Sequence, residues 1–393
     1  MPGIVIRPRA RIFHGHEWVY ASEVKKTFGN PQAGDVISLK DYKDRPLGSA
    51  IYNPQSQIVA RRFSRRKQAL DLEFFTRRIS RAFEYRKSLT GIDPQLCRVV
   101  WSESDGLPGV IIDRYGEHVV LQTLTLGMDM RLEEIGEAMR SILAPRSIAV
   151  RNDSTIRNAE GMKPESHMLH GDNPGPFRVS AAPGTMSFSV DLLGGQKTGL
   201  YLDQFENYSA VAALAAGRRV LDCFTNQGGF ALHAAAAGAK EVVGIDSSGS
   251  AIAAAKTNAE AAGLSNVSWL EANVFDELKA RDAAEEKFDL IVLDPPSFTR
   301  NKRSLTDALR GYKEIHLRAL KMLEPGGVLA TFTCSHHVSR NAFLEMVRDA
   351  GVDAKRTLRQ VGTYAQRADH PINPSLPETE YLHGFAFEVI PAW

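Results

Sequence analysis

The stretch RVLDCFTNQGGFALHAAAAGAKEVVGID, Arg219–Asp246, decides how the rest of the chain folds. Val220, Leu221 and Cys223 form a short apolar run that ends in a Gly-containing turn. An alanine-rich segment follows, and a second apolar run, residues 242–245, stops at Asp246. The order reads strand, tight turn, helix, strand: one βαβ unit with its turn at the carboxyl end of the first strand. Gly228 and Gly229 carry no Cβ, which opens the backbone to a ligand where helix amides point outward. Asp246, at the tip of the neighbouring strand, is placed to accept hydrogen bonds from both hydroxyls of a ribose.

The pattern repeats downstream. Apolar runs near residues 220, 242, 267, 290 and 329 alternate with helical segments at 228–238, 249–262, 273–281, 306–322 and 339–350. Five βα units in series predict a parallel sheet covered on both faces. Asp294-Pro295-Pro296-Ser297-Phe298 follows the fourth run and Cys334-Ser335 the fifth, so both are expected on the rim that carries Gly228 and Asp246. The tail lacks a helix: residues 355–361 and 385–390 read as strands, an antiparallel closure of the sheet.

Upstream the chain changes character. Residues 1–70 read as short strands broken by Gly34, Gly48 and Asn53-Pro54, a small β-rich module. Residues 71–89 are expected to form a helix, with Phe75, Ile79 and Phe83 on one face. Strand and helix patterns continue to residue 151, and Gly161–Gly175 reads as a surface connection. The expected domains are therefore 1–70, 71–185 and 186–393. Residues 1–90 hold 18 Lys/Arg against 8 Asp/Glu, a net +10, whereas the whole chain of 393 residues carries only +2. A basic front end on an acidic body points to a polyanionic partner. Arg61, Arg62, Arg65 and Arg66, clustered around Phe63, are the candidate RNA-binding residues.

No apolar run approaches the ~18 residues that span a bilayer, and the start of the chain has no signal-like apolar core. Three scattered cysteines, Cys97, Cys223 and Cys334, cannot make a disulfide framework or a cysteine zinc cage. A cytoplasmic protein with no membrane and no metal partner is expected; the oligomeric state is left open.

Taken together, Gly194-Gly195-Gln196-Lys197-Thr198-Gly199-Leu200-Tyr201-Leu202-Asp203-Gln204, the Cys223–Phe230 turn, Asp-Pro-Pro-Ser-Phe, Thr333-Cys334-Ser335, Ala368-Asp369-His370-Pro371 and Ser102–Gly109 resemble one family across almost the whole chain. It is the class I S-adenosylmethionine-dependent methyltransferases that make 5-methylcytosine in large-subunit ribosomal RNA. The resemblance implies an N-terminal PUA-like RNA-binding domain, a central small α+β domain and a Rossmann-like catalytic domain. It implies that Phe224, Thr225, Gly228 and Gly229 line the methionine and ribose end of S-adenosylmethionine, that Asp246 holds the ribose, and that Asn273 faces the adenine where the family usually has Asp. Tyr201, Asp203, Gln204 and Asp294 complete the cofactor pocket, with Cys334 as nucleophile and Asp294 over the reaction centre. Ser297 stands where many RNA cytosine-5 enzymes carry a second cysteine.

The chemistry asks for these residue types. Carbon 5 of cytosine is a poor nucleophile until a thiolate adds at carbon 6, and a carboxyl near nitrogen 3 can share the proton that the developing charge demands. Two other readings use the same pocket: a methyltransferase acting on a base nitrogen of guanine or adenine, and a non-catalytic RNA-binding assembly factor. A nicotinamide dehydrogenase stands third, because Asp294 and Cys334 have no part in hydride transfer.

Overall fold

The computed structural model describes residues 1–180, 186–195, 198–299, 305–335 and 337–390. Gln196 and Lys197 of the glycine-rich motif, and His336 beside Cys334, lie outside the described residues. The chain divides into two compact units. One comprises Met1–Pro183, Val190–Leu202 and Ala368–Thr379; the other comprises Gly184–Ser189, Asp203–Arg367 and Glu380–Trp393. Among the described residues no helix is long and apolar enough to cross a membrane.

The first unit opens with β1 (Gly3–Ile6), β2 (Trp18–Tyr20), β3 (Val24–Phe28), β4 (Val36–Lys40), β5 (Pro46–Tyr52) and β6 (Ile58–Ser64). They form one sheet in the order β2-β6-β5-β4-β1-β3. Helix α1 (Leu72–Ser88) starts where the Asp71 side chain accepts from the Phe74 amide at 2.9 Å, an N-cap that satisfies an otherwise orphan donor. Next come β7 (Leu96–Trp101), β8 (Val110–Tyr115), β9 (His118–Thr123), α2 (Leu126–Asp129), α3 (Leu132–Leu143), β10 (Ser147–Asn152) and β11 (Glu165–His170). The second sheet has the order β11-β10-β9-β8-β7.

Strand β11 corrects the reading of Gly161–Gly175 as a plain connection: Glu165–Asn152 through His170–Ile148 pair antiparallel. As an edge strand with half-exposed side chains it needs no apolar alternation, so its sequence carries no strand signal. The buried core runs unbroken across residue 70, joining Ile51 and Phe63 of the first sheet to Phe74, Val100 and Met128.

After β12 (Phe177–Ser180) and β13 (Ser187–Val190), the second unit holds α4 (Phe205–Ala212), β14 (Arg219–Cys223), α5 (Gly229–Ala236), β15 (Glu241–Asp246), α6 (Gly249–Ala261), β16 (Val267–Glu271), α7 (Val274–Ala283), β17 (Phe288–Leu293), α8 (Leu305–Met322), β18 (Leu323–Thr333), α9 (Arg340–Asp353), β19 (Thr357–Ala365) and β20 (His383–Ile390). The sheet order is β16-β15-β14-β17-β18-β20-β19. Strands β14 to β18 run parallel, whereas β20 is antiparallel to both β18 and β19. The expected α/β class and its hairpin-closed tail are thus both present. Strand β14 pairs with β15 on one side and β17 on the other, which makes its carboxyl end the switch point where such sheets bind ligands.

Candidate active site

The turn after β14 is built from left-handed backbone. Phe224 (φ 63°), Asn226 (φ 50°) and Gly228 (φ 86°) all adopt positive φ, a conformation that non-glycine residues take only where packing imposes it. Two of the expected reasons for the glycines need revision. A Cβ on Gly228 would lie 2.6 Å from Trp269, and one on Gly229 would lie 2.4 Å from Tyr208. The missing side chains are therefore required first by the domain's own packing, before any ligand approaches.

Asp246 sits at the end of β15 with its carboxylate fixed at both oxygens: Oδ2 accepts from the Asn226 amide and Oδ1 from the Ser248 amide, each at 2.9 Å. Each oxygen keeps a lone pair for a further donor.

Sequence reasoning missed the carboxylate beneath this turn. Asp222 of β14 is fully buried. Its Oδ2 accepts from Thr225 Oγ1 at 2.5 Å and from the Ala231 amide at 3.0 Å, while Oδ1 has no partner. Burial pushes its pKa up to about 7; those two hydrogen bonds pull against that, and the charges of Asp294 and Asp246 push with it. The carboxylates at the tips of β15 and β17 thus both bear electrostatically on Asp222.

Asp294 follows β17 directly. Gln204 Nε2 donates to its Oδ2 at 3.0 Å, and Gln204 Oε1 in turn accepts from Asn207 Nδ2 at 2.6 Å. The relay fixes the carboxylate from helix α4 and turns Gln204 from pocket wall into the residue that aims Asp294. Asp203 is engaged elsewhere, since its Oδ2 accepts from Tyr381 Oη at 2.6 Å, which fastens its segment to the tail. Tyr201 falls in the Val190–Leu202 segment, which belongs to the first unit. Asn273 caps α7, its Oδ1 accepting from the Phe275 and Asp276 amides at 2.9 and 3.4 Å. The carboxamide oxygen is thus committed to the helix, which leaves the amide –NH2 as the group for a ligand.

Cys334 lies one residue past β18 and is half-buried, whereas Cys97 and Cys223 are fully buried. Its neighbours Thr333 and Ser335 are buried, as alternation at a strand end requires. Tyr312 of α8, also unforeseen, is tied to the residue before Cys334. Thr333 Oγ1 donates to Tyr312 Oη at 3.2 Å. Burial raises the Tyr312 hydroxyl to about 12, and the charges of Cys334 and Asp294 push the same way. Cys334 and Asp294 therefore bear on one buried hydroxyl.

Phe298 packs its ring 4.6 Å from Tyr312 and 5.6 Å from Phe275, centroid to centroid. Ser297 Oγ donates to the Thr299 carbonyl at 2.9 Å.

The arginine cluster separates into two halves. Arg62 is buried, its Nε donating to Glu17 Oε2 at 2.5 Å. Arg61 is 15% exposed, held by Glu103 at 2.9 Å and stacked 4.8 Å over Trp18. These two are structural, which corrects the expectation that all four face RNA: carboxylates remote in sequence neutralise them. Arg65, 70% exposed, and Arg66 remain at the surface.

Comparison with known proteins decides the family. Residues 172–357 match a model described as S-adenosylmethionine-dependent methyltransferase, and residues 7–65 match a PUA-like domain. Ribosomal RNA large subunit methyltransferase I of Erwinia tasmaniensis is 39% identical over 379 residues, 95% of this chain and 96% of that protein. Its namesake from Aeromonas hydrophila is 38% identical over 378 residues, 94% of each chain. The chain belongs to the ribosomal RNA large subunit methyltransferase I family.

Among solved structures, SMU.776, a candidate methyltransferase in complex with SAH, aligns with a TM-score of 0.85 at 23% identity over 99% of this chain and 100% of that one. That likeness shows the fold. The chain is thus a class I S-adenosylmethionine-dependent methyltransferase with a PUA-like N-terminal domain, and S-adenosylmethionine is its cofactor. The rim fits that cofactor: Asp246 offers acceptor lone pairs for a diol, and the left-handed turn ends in the amides of α5.

Proposed function

We propose that this protein methylates carbon 5 of a cytosine in large-subunit ribosomal RNA through a covalent adduct at Cys334. The observation that carries the reading is the contrast among the thiols: two are sealed in the core, and Cys334 alone is accessible, at a strand tip next to the one that carries Asp294. The named relatives act, by their names, on large-subunit ribosomal RNA, which supports the same substrate here.

In this reading Asp246 holds the cofactor's ribose and the –NH2 of Asn273 donates to its adenine. Phe224, Thr225 and the amides around Gly228 and Gly229 line the methionine end, Asp203 contributes wall, and Gln204 acts through Asp294. Bound S-adenosylmethionine supplies an electrophilic methyl group on a sulfonium. The Cys334 thiolate forms a bond to carbon 6, and the ring's electron pair moves toward nitrogen 3, where Asp294, aimed by Gln204, shares a proton. Carbon 5 then takes the methyl as the sulfur–methyl bond breaks. Loss of the carbon-5 proton to a base restores the double bond and expels the thiolate from carbon 6. The target base has to be unstacked, because carbon 6 is covered within a helix.

The arrangement argues against the base-nitrogen alternative. An amine methyltransferase needs the aromatic after Asp-Pro-Pro to stack on its target, and the Phe298 ring packs against Tyr312 and Phe275 instead. For partners we propose residues 1–70 as the RNA-binding part, 71–185 as the central part and 186–393 as the catalytic part. Arg65 and Arg66 are the exposed cations of the four-arginine cluster, and the cytoplasm is the proposed compartment.

Cys334→Ala is expected to lose methyl transfer by a factor of about 10³ or more while binding S-adenosylmethionine as the parent does. RNA carrying 5-fluorocytosine, from which no carbon-5 proton can leave, should give a denaturant-stable adduct with the parent and none with the alanine variant. Full activity of Cys334→Ala would reject the thiolate route.

A further inference from the structure

The motif Ser102–Gly109 has no part in the chemistry above, yet it builds one wall of a groove of about 990 Å³ in the first unit. The opposite wall comes from the end of β6 and from α1. Six arginines line the groove against three carboxylates, Glu17, Glu103 and Asp105. All three acids are already engaged: Glu17 by Arg62 and Arg65, Glu103 by Arg61, and Asp105 by Arg86. Among the described residues no carboxylate lies within ion-pair distance of Arg66, Arg78 or Arg81. Arg77 meets the carboxylate of exposed Glu73 at a long 3.4 Å.

Two buried polar atoms of the lining residues lack partners, Arg78 Nε and Ser104 Oγ, while Arg78 Nη2 donates to the Phe63 carbonyl at 3.2 Å. The fold makes room for the first of these. Gly106 has φ 70°, and a Cβ there would press to 3.0 Å on Arg78 Nη1. Burial, together with the like charges of Arg81 and Arg77, pushes the Arg78 guanidinium's pKa down. A set of mutually repelling cations beside orphaned donors is relieved by an anion with several acceptor oxygens.

We propose that Arg78 and Ser104, flanked by Arg66 and Arg81, form a phosphodiester-binding groove for the RNA backbone. The inference rests on the reading of RNA as substrate and adds where the strand is gripped. A groove of this size, with six arginines along the wall made by the end of β6 and α1, suits a run of backbone phosphates rather than a single ion. It also explains why Glu103 and Asp105 are spent on Arg61 and Arg86: with both acids neutralised, the wall they belong to does not repel a polyanion.

The test is equilibrium binding of the full chain to an unmodified large-subunit rRNA transcript across a salt series. Each lost phosphate contact should lower the slope of log affinity against log salt by about 0.7 to 0.9, so Arg66→Gln/Arg81→Gln should lower it by about 1.4 to 1.8. Affinity at low salt should fall by about 10- to 100-fold. Arg66→Lys/Arg81→Lys should restore most of the slope, which a folding defect would not allow. Ser104→Ala removes a neutral donor and should cost a few-fold in affinity with the slope intact. If the parent binds and methylates RNA but the double glutamine variant keeps the parent slope, the groove is refuted and the RNA reading stands. If the parent neither binds nor methylates RNA, both fall. Binding of polyglutamate that is weakened by the same variant, with RNA binding untouched, would reassign the groove to an acidic protein and overturn the proposal.

Discussion

The two compact units differ in what many of their buried ionisable side chains meet. In the first, several buried arginines are paired with carboxylates. Arg86, with no exposed surface, is bidentate to Asp105 at 2.6 and 2.8 Å, Arg98 is bidentate to Asp113 at 2.8 Å, and Arg157 reaches Asp129 at 2.7 Å. In the second, buried groups beside the candidate site are kept neutral by desolvation: Asp222 is raised to about 7, His316 lowered to about 4, Tyr312 raised to about 12, and Cys223 raised as well. The pairs hold fixed charge, whereas desolvation holds the second set neutral, and among that set Asp222 is the one poised near neutrality.

The largest effect is expected where one of these pairs is broken. Asp113 is fully buried and accepts from Arg98 and from Thr198 Oγ1. Asp113→Ala strands the Arg98 guanidinium and should destabilise the chain by about 3–5 kcal/mol. Denaturant titration measures it, and a loss below ~1 kcal/mol would mean that the pair is not holding the first unit together.

The neutral groups of the second unit should announce themselves through pH. Asp222 binds its proton more tightly folded than unfolded. Its contribution is therefore fully present below about pH 4 and is lost as pH rises toward about 7. His316, whose Nδ1 and Nε2 lie 2.6 Å from the Tyr312 carbonyl and 2.8 Å from Thr331 Oγ1, has the reverse sign. Folding excludes its proton, so it penalises stability at low pH, and the penalty lifts between about pH 4 and 6.5. The two contributions oppose each other where their windows overlap. Relative to the parent, Asp222→Asn should gain stability as pH rises from 4 to 7, and His316→Gln should lose it from 4 to 6.5. A difference curve of the opposite sign for either variant would refute the assignment of that residue.

The fold was legible because period and punctuation carry it. The alternation of apolar runs with helices, the Gly228-Gly229 turn and the helix-free tail follow from local chemistry, and they put Asp246, Asp294 and Cys334 at strand ends. What stayed hidden depends on partners far away in sequence. Gln204 reaches Asp294 across 90 residues, and Tyr312 lies 21 residues before the threonine it bonds. Asp222 looks like any inward strand residue until desolvation is counted. The same distance misled the reading of Arg61 and Arg62: two adjacent cations in a strand look solvated until Glu103 and Glu17, 42 and 45 residues off, close on them. The edge strand β11 was missed for a simpler reason, since a half-exposed strand has no need of alternation.

The smallest effect is the sharpest control on the contrast. Arg77 and Glu73 make the same kind of ion pair as Arg98 and Asp113, one turn apart on α1, but with side chains 50% and 86% exposed. In water the Coulomb gain is nearly cancelled by solvation and side-chain entropy, so Glu73→Gln should change stability by under ~0.5 kcal/mol. If burial, rather than pairing itself, makes the first unit's arginines structural, this variant must be silent in denaturant titration. It need not be silent toward RNA: removing the carboxylate leaves Arg77 to the groove and raises its net charge by one, so affinity for the rRNA transcript should rise a few-fold at low salt and converge on the parent's as salt is added. A stability loss comparable to that of Asp113→Ala would erase the distinction between the two kinds of pair.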